Sequence, residues 1–207
     1  MKRKLKIEIG LAIFLLLIAL FGSFLAPYDP LKVNYDFSLQ PPSLLHMFGT
    51  DKLGRDVLSR ILCGAKTSFG LTFLLLFLIV FIGMIIGLIA GLSNDKVESF
   101  FNNIINGLLA FPDTIFAIAI VGIVGAGLFN TVFALALIWW TKYARLTLAL
   151  VKQEKKKNYL VISKMSGVPP LQRIIRYLLP NILSQILVTA FLDIGNMMIS
   201  LAGLSFL

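Results

Sequence analysis

The sequence predicts an all-α integral membrane protein. Apolar residue types make up 58% of the 207 residues and charged types only 14%, whereas globular proteins contain roughly half and a quarter. Three stretches carry no charge: the one from Ile9 up to Asp29, then Thr67–Asn94 and Thr114–Thr141. Each is long enough for the roughly 20 residues with which a helix crosses a bilayer. Because the runs lack the alternation of barrel strands, they favour helices.

The first apolar run, Ile9–Leu25, follows the basic start MKRKLK and resembles a secretory signal in outline. It is longer than the apolar part of a typical signal, and Pro27 fits poorly at a cleavage site. We therefore predict an uncleaved first helix. A polar loop that contains Pro30, Pro41 and Pro42 follows it.

The second predicted helix is an apolar run that continues from Ser68 to Leu92. It contains Gly83, Gly87 and Gly91, which are spaced by four and therefore share one helix face. Small residues in this pattern let helices approach each other closely in lipid. The pattern predicts a helix bundle and does not by itself indicate a function.

Three further spans follow along the chain. We predict the third at about Phe100–Val124, with a kink at Pro112 because proline interrupts helical hydrogen bonding. The fourth is predicted at about Thr131–Leu150 and the fifth at about Pro180–Leu204.

The distribution of basic residues predicts the orientation of these spans. If the N-terminus is cytoplasmic, most of the 19 Lys and Arg residues fall on the cytoplasmic side, with Lys142 and Arg145 counted among them. This is the usual bias of membrane proteins. It also accounts for the net charge of +9 better than nucleic-acid binding does, because no basic stretch is interleaved with aromatics.

The basic segment 155–181 between the last two spans is therefore predicted to be cytoplasmic. A short helix, Asn158–Ser166, is expected to end at Gly167, which tolerates a left-handed backbone. Pro169 or Pro170 can open a second helix. That helix has one apolar stripe, formed by Leu171, Ile174, Ile175, Leu178 and Leu179. Two roles remain open for this segment: an interfacial anchor held by anionic lipid, or a docking point for a cytoplasmic partner.

The corner at Gly167, followed by RYLLPN ahead of a membrane helix, resembles the coupling loop of binding-protein-dependent ABC importer permeases. FGTDKLGRDVLSRILCGAKTSF at 48–69, AFPDTIFAIAIVGIVGAGL and KYARL are similar to the dipeptide, oligopeptide and nickel branch of that family. LDIGNMMISLAGLSFL at 192–207 is most similar to the second permease subunit of nickel importers. The resemblance covers nearly the whole chain.

This resemblance implies a type I ABC importer transmembrane fold and a multi-pass protein of a bacterial or archaeal inner membrane. The implied partners are a second homologous permease, two cytoplasmic ATPase subunits and an extracytoplasmic binding protein. It further implies an N-terminal helix with an extracytoplasmic loop at 1–66 and the transmembrane domain at 67–207. The implied ATPase-coupling residues are Val161, Ile162, Ser163, Gly167, Arg173, Arg176 and Pro180. The first three stand where the family has a Glu-Ala-Ala signature, from which this chain departs.

The sequence contains no catalytic constellation and implies no cofactor, so we expect a transporter subunit and not an enzyme. CGAKTS has Ala65 where a phosphate-binding loop has the glycine before its lysine, and no glycine lies five residues before Ala65. ATP hydrolysis is therefore expected in another subunit. His46 is the single histidine, which argues against a His-rich metal site. Cys63 is the single cysteine and is expected to be a small buried hydrophobe.

A substrate pathway is predicted from acidic side chains inside the spans, Asp113 and Asp193. Charge in a bilayer is costly and usually faces a cavity or a partner. Asp193, Asn196 and Ser200 follow at i, i+3 and i+7 and form a polar line on one helix face. This line either bonds to a neighbouring helix or lines the path of a cationic or chelated substrate.

The substrate predicted first is nickel, free or chelated, with dipeptides or oligopeptides as the alternative. An ion-coupled carrier is disfavoured because the intramembrane charges are few and no pair suggests a proton relay. Members of the family continue past Leu-Ser-Phe-Leu with an outer loop and a sixth helix. We therefore expect five spans and a C-terminal truncation, which leaves open a natural variant or a non-functional fragment of a disrupted gene.

Overall fold

A computed structural model describes the backbone at residues 2–204, and the side chains there except at 2–5, 9 and 12. Within that part of the chain the regular elements are helices, which confirms the all-α prediction. In chain order they are α1 Lys2–Leu25, a 3-10 turn Tyr35–Phe37, α2 Val57–Leu92, α3 Asp95–Leu109, α4 Asp113–Val124, α5 Leu128–Lys155, α6 Asn158–Met165, α7 Pro170–Arg173, a π-helical segment Ile174–Leu178, and α8 Leu179–Leu204.

The chain divides into two compact units, Met1–Gly70 and Leu71–Leu207. Helix α2 contributes to both, and the boundary predicted between residues 66 and 67 lies inside it. That boundary stays a prediction, and residues 205–207 of the predicted second domain lie outside the described part of the chain.

Helix α2 begins at Val57 and not near Ser68, so the predicted start of the second span is wrong. The reason is a side-chain cap. Asp56 Oδ2 accepts hydrogen bonds of 2.7 Å from both the amide and the hydroxyl of Ser59, and a carboxylate at this position starts a helix. Burial by itself raises the pKa of the Asp56 carboxyl, but the hydrogen bonds from Ser59 and His46 outweigh it and hold that pKa below its usual value.

Four helices are long and apolar enough to cross a membrane: Lys6–Leu25, Val57–Leu92, Leu128–Lys155 and the continuous run Pro170–Leu204. Helices α3 and α4 pass the same test only as a pair, and they are bent by 83° at the break between them. The bend predicted at Pro112 is therefore present, but it separates two helices instead of kinking one. Proline stands here as the residue that precedes α4.

The predicted glycine stripe on α2 faces α5. A Cβ added to Gly83 would lie 2.6 Å from the carbonyl oxygen of Trp140, and one added to Gly91 would lie 2.7 Å from Val151 Cγ1. Side chains at these positions would push the two helices apart, so the close approach depends on glycine. Helix α5 also packs against α3, α4 and α8, which makes it the central element of the second unit.

The last span does not begin at Pro180, as the sequence predicted, but continues from α7 through the π-helical segment Ile174–Leu178 into α8. Proline has no amide proton for the carbonyl of Arg176, and its ring crowds that carbonyl in an α-helix. One wider turn before Pro180 accommodates both effects, with the Leu179 amide bonded to the carbonyl of Ile174.

Candidate functional site

The segment between α5 and α8 forms the predicted corner. Helix α6 ends at Met165 and the chain turns at Gly167, whose φ of +75° lies in the left-handed region. The Val168 amide donates to the Ser163 carbonyl at 3.1 Å. Pro170 is the first residue of α7. These features confirm the helix, corner and helix of the sequence analysis. A Cβ on Gly167 would meet nothing within 4 Å, so glycine is required here by backbone conformation alone.

The predicted coupling residues do not form one continuous surface. Val161 and Ile162 are exposed, as are Gly167, Arg176 and Pro180. Ser163 is instead buried, and its hydroxyl donates to the Leu160 carbonyl at 2.8 Å. Arg173 is half-buried and lines a groove behind the loop.

A network that the sequence analysis did not single out ties this loop to two long helices. Glu154, buried near the end of α5, accepts hydrogen bonds from Lys157 Nζ at 2.6 Å and from the Tyr159 hydroxyl. Asn181 Nδ2 of α8 donates to the same hydroxyl at 3.1 Å. Burial and the bond to Glu154 raise the pKa of Tyr159 to about 12. The network therefore joins α6 to both long helices, α5 and α8. The feature of the sequence that could have indicated this network is the glutamate directly before a Lys-Lys-Lys run, Glu154 before residues 155–157.

A cleft of about 750 Å³ opens among the break between α3 and α4, the middle of α5 and the middle of α8. All four predicted pathway residues, Asp113, Asp193, Asn196 and Ser200, contribute to its lining. The cleft is also lined by two basic side chains that the sequence analysis had assigned to cytoplasmic segments, Lys142 and Arg145.

Asp193 is paired across the bundle. Its carboxylate oxygens lie 2.8 and 2.7 Å from Lys142 Nζ, and its Oδ2 also accepts from the Tyr143 hydroxyl at 2.8 Å. The side chain of Asp193 is 13% exposed and that of Lys142 is 55% exposed. Lys142 thus lies halfway along α5 and meets an acid halfway along α8, and its assignment to a cytoplasmic segment stays a prediction. The signal that could have found the pair is a lysine in one predicted span and an aspartate in the next.

Asp113 starts α4 at the opposite wall of the cleft. Its Oδ1 accepts from the Thr114 amide at 2.8 Å, and its Oδ2 accepts from Trp139 Nε1 at 3.0 Å. A carboxylate in the first turn is favoured by the helix dipole. Nearby, Arg145 donates to the side chain of Asn106 on α3. The cleft therefore presents carboxylates and cations together, each positioned by a hydrogen bond with a residue of another element.

Within the described residues, no group of three or more His, Cys, Asp or Glu side chains could hold a metal ion. His46 Nδ1 lies 3.0 Å from Asp56 Oδ1 in the first unit. Cys63 is half-buried and not fully buried as predicted.

Comparison with known proteins identifies the family. The family described as binding-protein-dependent transport system inner membrane component matches residues 83–207. The N-terminal transmembrane domain of oligopeptide transport permease C matches residues 9–42. The two matches together reach from the first helix to the last.

Individual relatives agree with these matches. The di/tripeptide transport system permease protein DppC of Pseudomonas aeruginosa (strain UCBPP-PA14) is 38% identical over 96% of this chain and 69% of its own length. The dipeptide transport system permease protein DppC of Escherichia coli (strain K12) is 36% identical over 100% and 71%. The nickel transport system permease protein NikC of the same strain is 34% identical over 93% and 70%.

These matches confirm the resemblance and imply a transporter subunit that works in the inner membrane with ATPase and substrate-binding protein partners. Its multi-pass character agrees with the apolar helices of the structure. The chain belongs to the family of binding-protein-dependent transport system inner membrane components, within its dipeptide, oligopeptide and nickel branch, and is a permease subunit of an ABC importer.

Proposed function

We propose that this permease carries short peptides. We further propose that it works beside a second homologous permease, and that the N-terminus of the present chain lies in the cytoplasm. The observation that carries the proposal is the mixed charge of the cleft between α5 and α8. Short peptides are zwitterions, with an ammonium group at one end and a carboxylate at the other. A path that offers both signs of charge suits them.

The dimensions and chemistry of the cleft support this substrate class. Its volume of about 750 Å³ lies within the roughly 300–1,000 Å³ of small-molecule sites. Arg145 can meet a peptide carboxylate and Asp113 can meet an ammonium group, and neither belongs to the Lys142–Asp193 pair. Apolar surface from Phe111 and Ile199 also lines the cleft and suits uncharged side chains.

Nickel is the second candidate, favoured by the NikC relative and by the oxygen-bearing line of Asp193, Asn196 and Ser200. The pairing of Asp193 weakens this candidate. Its carboxylate already accepts from an ammonium group and a phenol, and the positive charge of Lys142 offsets the attraction that a metal cation would feel. The peptide relatives also match over slightly more of the chain.

We further propose that the loop couples ATP hydrolysis to this cleft through Val161, Ile162, Ser163, Gly167, Arg173, Arg176 and Pro180. The exposed members would meet the ATPase, and the buried Ser163 would hold the shape of α6. Movement of the loop would pass through Glu154 and Asn181 to α5 and α8, the two helices that hold the Lys142–Asp193 pair. Rigid-body shifts of helices are a common form of two-state change.

Uptake in cells that lack their own permeases of this branch tests the proposal. The chain is expressed with its partner subunits, and accumulation of a labelled dipeptide and of nickel is measured in parallel. We expect dipeptide uptake that unlabelled dipeptide suppresses and that stops on ATP depletion. Nickel accumulation without dipeptide uptake would contradict the peptide assignment.

A matched pair of variants tests the role of the cleft. Lys152 pairs with Glu98 as Lys142 pairs with Asp193, and both pairs join α5 to another helix. The exposed side-chain fractions are similar: 52% for Lys152 and 55% for Lys142, and 18% for Glu98 and 13% for Asp193. Lys152 and Glu98 do not line the cleft. We expect Asp193→Asn to lower dipeptide uptake at normal membrane abundance and Glu98→Gln to leave uptake nearly unchanged. Equal effects of the two would assign Asp193 a packing role only.

A further inference from the structure

A second concavity, of about 570 Å³, lies behind the coupling loop and has an unusual combination of walls. Six of its lining residues are apolar, among them Leu92, Leu160 and Leu178. The titratable residues that line it, within the described chain, are all basic: Lys155, Lys164 and Arg173. The groove therefore joins positive charge to apolar surface without an acid to neutralise it.

The basic groups of the groove retain hydrogen-bond donors that have no acceptor among the described residues. Arg173 Nε is buried and has no hydrogen-bond partner among the described residues. A buried charged donor without an acceptor is costly, so an anionic acceptor at this place stabilises the fold. Lys155 Nζ donates to the Gly91 carbonyl at 3.0 Å, which uses one of the three donors of its ammonium group.

The location of the groove indicates which anion suits it. Leu92 and Lys155 are the last residues of α2 and α5, two helices that are long and apolar enough to cross a membrane. With the proposed cytoplasmic N-terminus, the groove lies at the cytoplasmic ends of both helices. Basic pockets between membrane helices on this side suit anionic lipid headgroups. An acidic side chain of an ATPase subunit would satisfy the charges but not the apolar walls, whereas the loop offers the ATPase other surface, including Ile162 and Met165.

We propose that this groove binds an anionic phospholipid, with the phosphate held by Lys155, Lys164 and Arg173 and the acyl chains against the apolar wall. The three basic residues come from α5, α6 and α7. The bound lipid therefore links the two halves of the coupling loop to the end of the central helix. The lipid composition of the inner leaflet then regulates how firmly the loop is held. This role is separate from substrate transport and is the same for a peptide or a nickel substrate.

The experiment uses the assembled transporter in nanodiscs of phosphatidylcholine with added phosphatidylglycerol, and native mass spectrometry measures the phosphatidylglycerol retained. We expect retention in preference to phosphatidylcholine. Arg173→Gln and Lys164→Gln should each weaken it about fivefold, the size expected for one basic residue near an anionic membrane surface. The matched control is Lys156→Gln, which removes an exposed charge beside Lys155 but outside the groove and should retain the lipid. Lys164 is exposed, so its variant keeps the test valid if the Arg173 variant fails to fold.

Three outcomes would overturn the proposal. One is equal retention of phosphatidylglycerol by the wild-type protein and both groove variants. Another is displacement of the lipid by inorganic phosphate, which would identify a site for a free anion. The third is loss of the lipid whenever the ATPase subunits are bound, which would assign the groove to an acidic segment of that partner. Retention is measured without transport, so it is independent of the uptake assay.

Discussion

Gly87→Ala is predicted to destabilise the bundle because of where a single methyl group would fall. The added Cβ would lie 2.5 Å from Thr147 Cβ and 2.6 Å from the Ala144 carbonyl oxygen. Non-bonded carbon atoms are most favourable at about 3.5–4.0 Å, so α2 and α5 must separate by about 1 Å or more to accept it. The glycines on either side, Gly83 and Gly91, are equally close to α5 and leave the helix no free direction in which to rotate.

The expected magnitude follows from a comparison within the same helix. Overpacking of a well-packed interior costs about 1–3 kcal/mol, but alanine also gains up to about 1 kcal/mol of helix propensity over glycine. Gly70 is exposed on α2, and a Cβ added there meets nothing within 4 Å. Gly70→Ala therefore receives the propensity gain alone. The difference between the two variants isolates the packing cost, which we expect to be about 1–3 kcal/mol.

Thermal unfolding of the purified transporter measures this difference. Both variants change the same helix of the same chain, so Gly87→Ala should melt below Gly70→Ala. Equal melting temperatures would show that α2 and α5 do not depend on the absence of a side chain at Gly87, and the reasoning about the stripe would fail.

The remaining predictions concern the corner and the cap of α2. In a pull-down, the Gly167→Val protein should recover less ATPase at normal membrane abundance, because a left-handed backbone costs a non-glycine residue about 1–2 kcal/mol. The effect of Gly167→Asn should be smaller, since asparagine tolerates this region better. Full recovery of ATPase by the valine variant would count against a role in coupling. The lowered pKa of Asp56 means that its stabilising effect is present above the ordinary aspartate pKa of about 3.9 and is lost as the pH falls below it. The protection of the amides of residues 26–56, measured as the exchange rate relative to the intrinsic rate at the same pH, should therefore fall on acidification in the wild type and much less in Asp56→Asn. The same loss of protection in both would assign it to another group.

Local chemistry made part of this fold predictable. The spacing of Gly83, Gly87 and Gly91 required only that small residues share a face, and the structure confirms their contact with α5. The corner at Gly167 required only that a helix end in a residue that accepts positive φ, which it does. Both inferences use neighbours along the chain, so they do not depend on how the bundle is assembled.

The features that were missed depend on distant or unusual contacts. Lys142 and Asp193 are 51 residues apart, and counting cations along the chain cannot show what a cation meets. The start of α2 was placed too late because Arg60 and Lys66 interrupt the apolar run, although Asp56 caps the helix earlier. The polar line of Asp193, Asn196 and Ser200 was predicted from its helical spacing, and Asp113 was predicted separately. Their convergence on one cleft needed the break at Pro112, whose angle the sequence does not specify.

The pair of Lys142 and Asp193 also constrains how the chain is inserted during synthesis. A lysine, arginine or aspartate at the centre of a spanning helix raises the free energy of insertion by about 2.5–3.5 kcal/mol. Helix α5 carries Lys142 and Arg145 near its middle, and α8 carries Asp193. Helix α5 leaves the ribosome first, so its ammonium group is in place before the carboxylate of α8 arrives. The two helices therefore insert more favourably as partners than singly. Helix α5 in lipid without α8 would hold the ammonium group of Lys142 without this counterion.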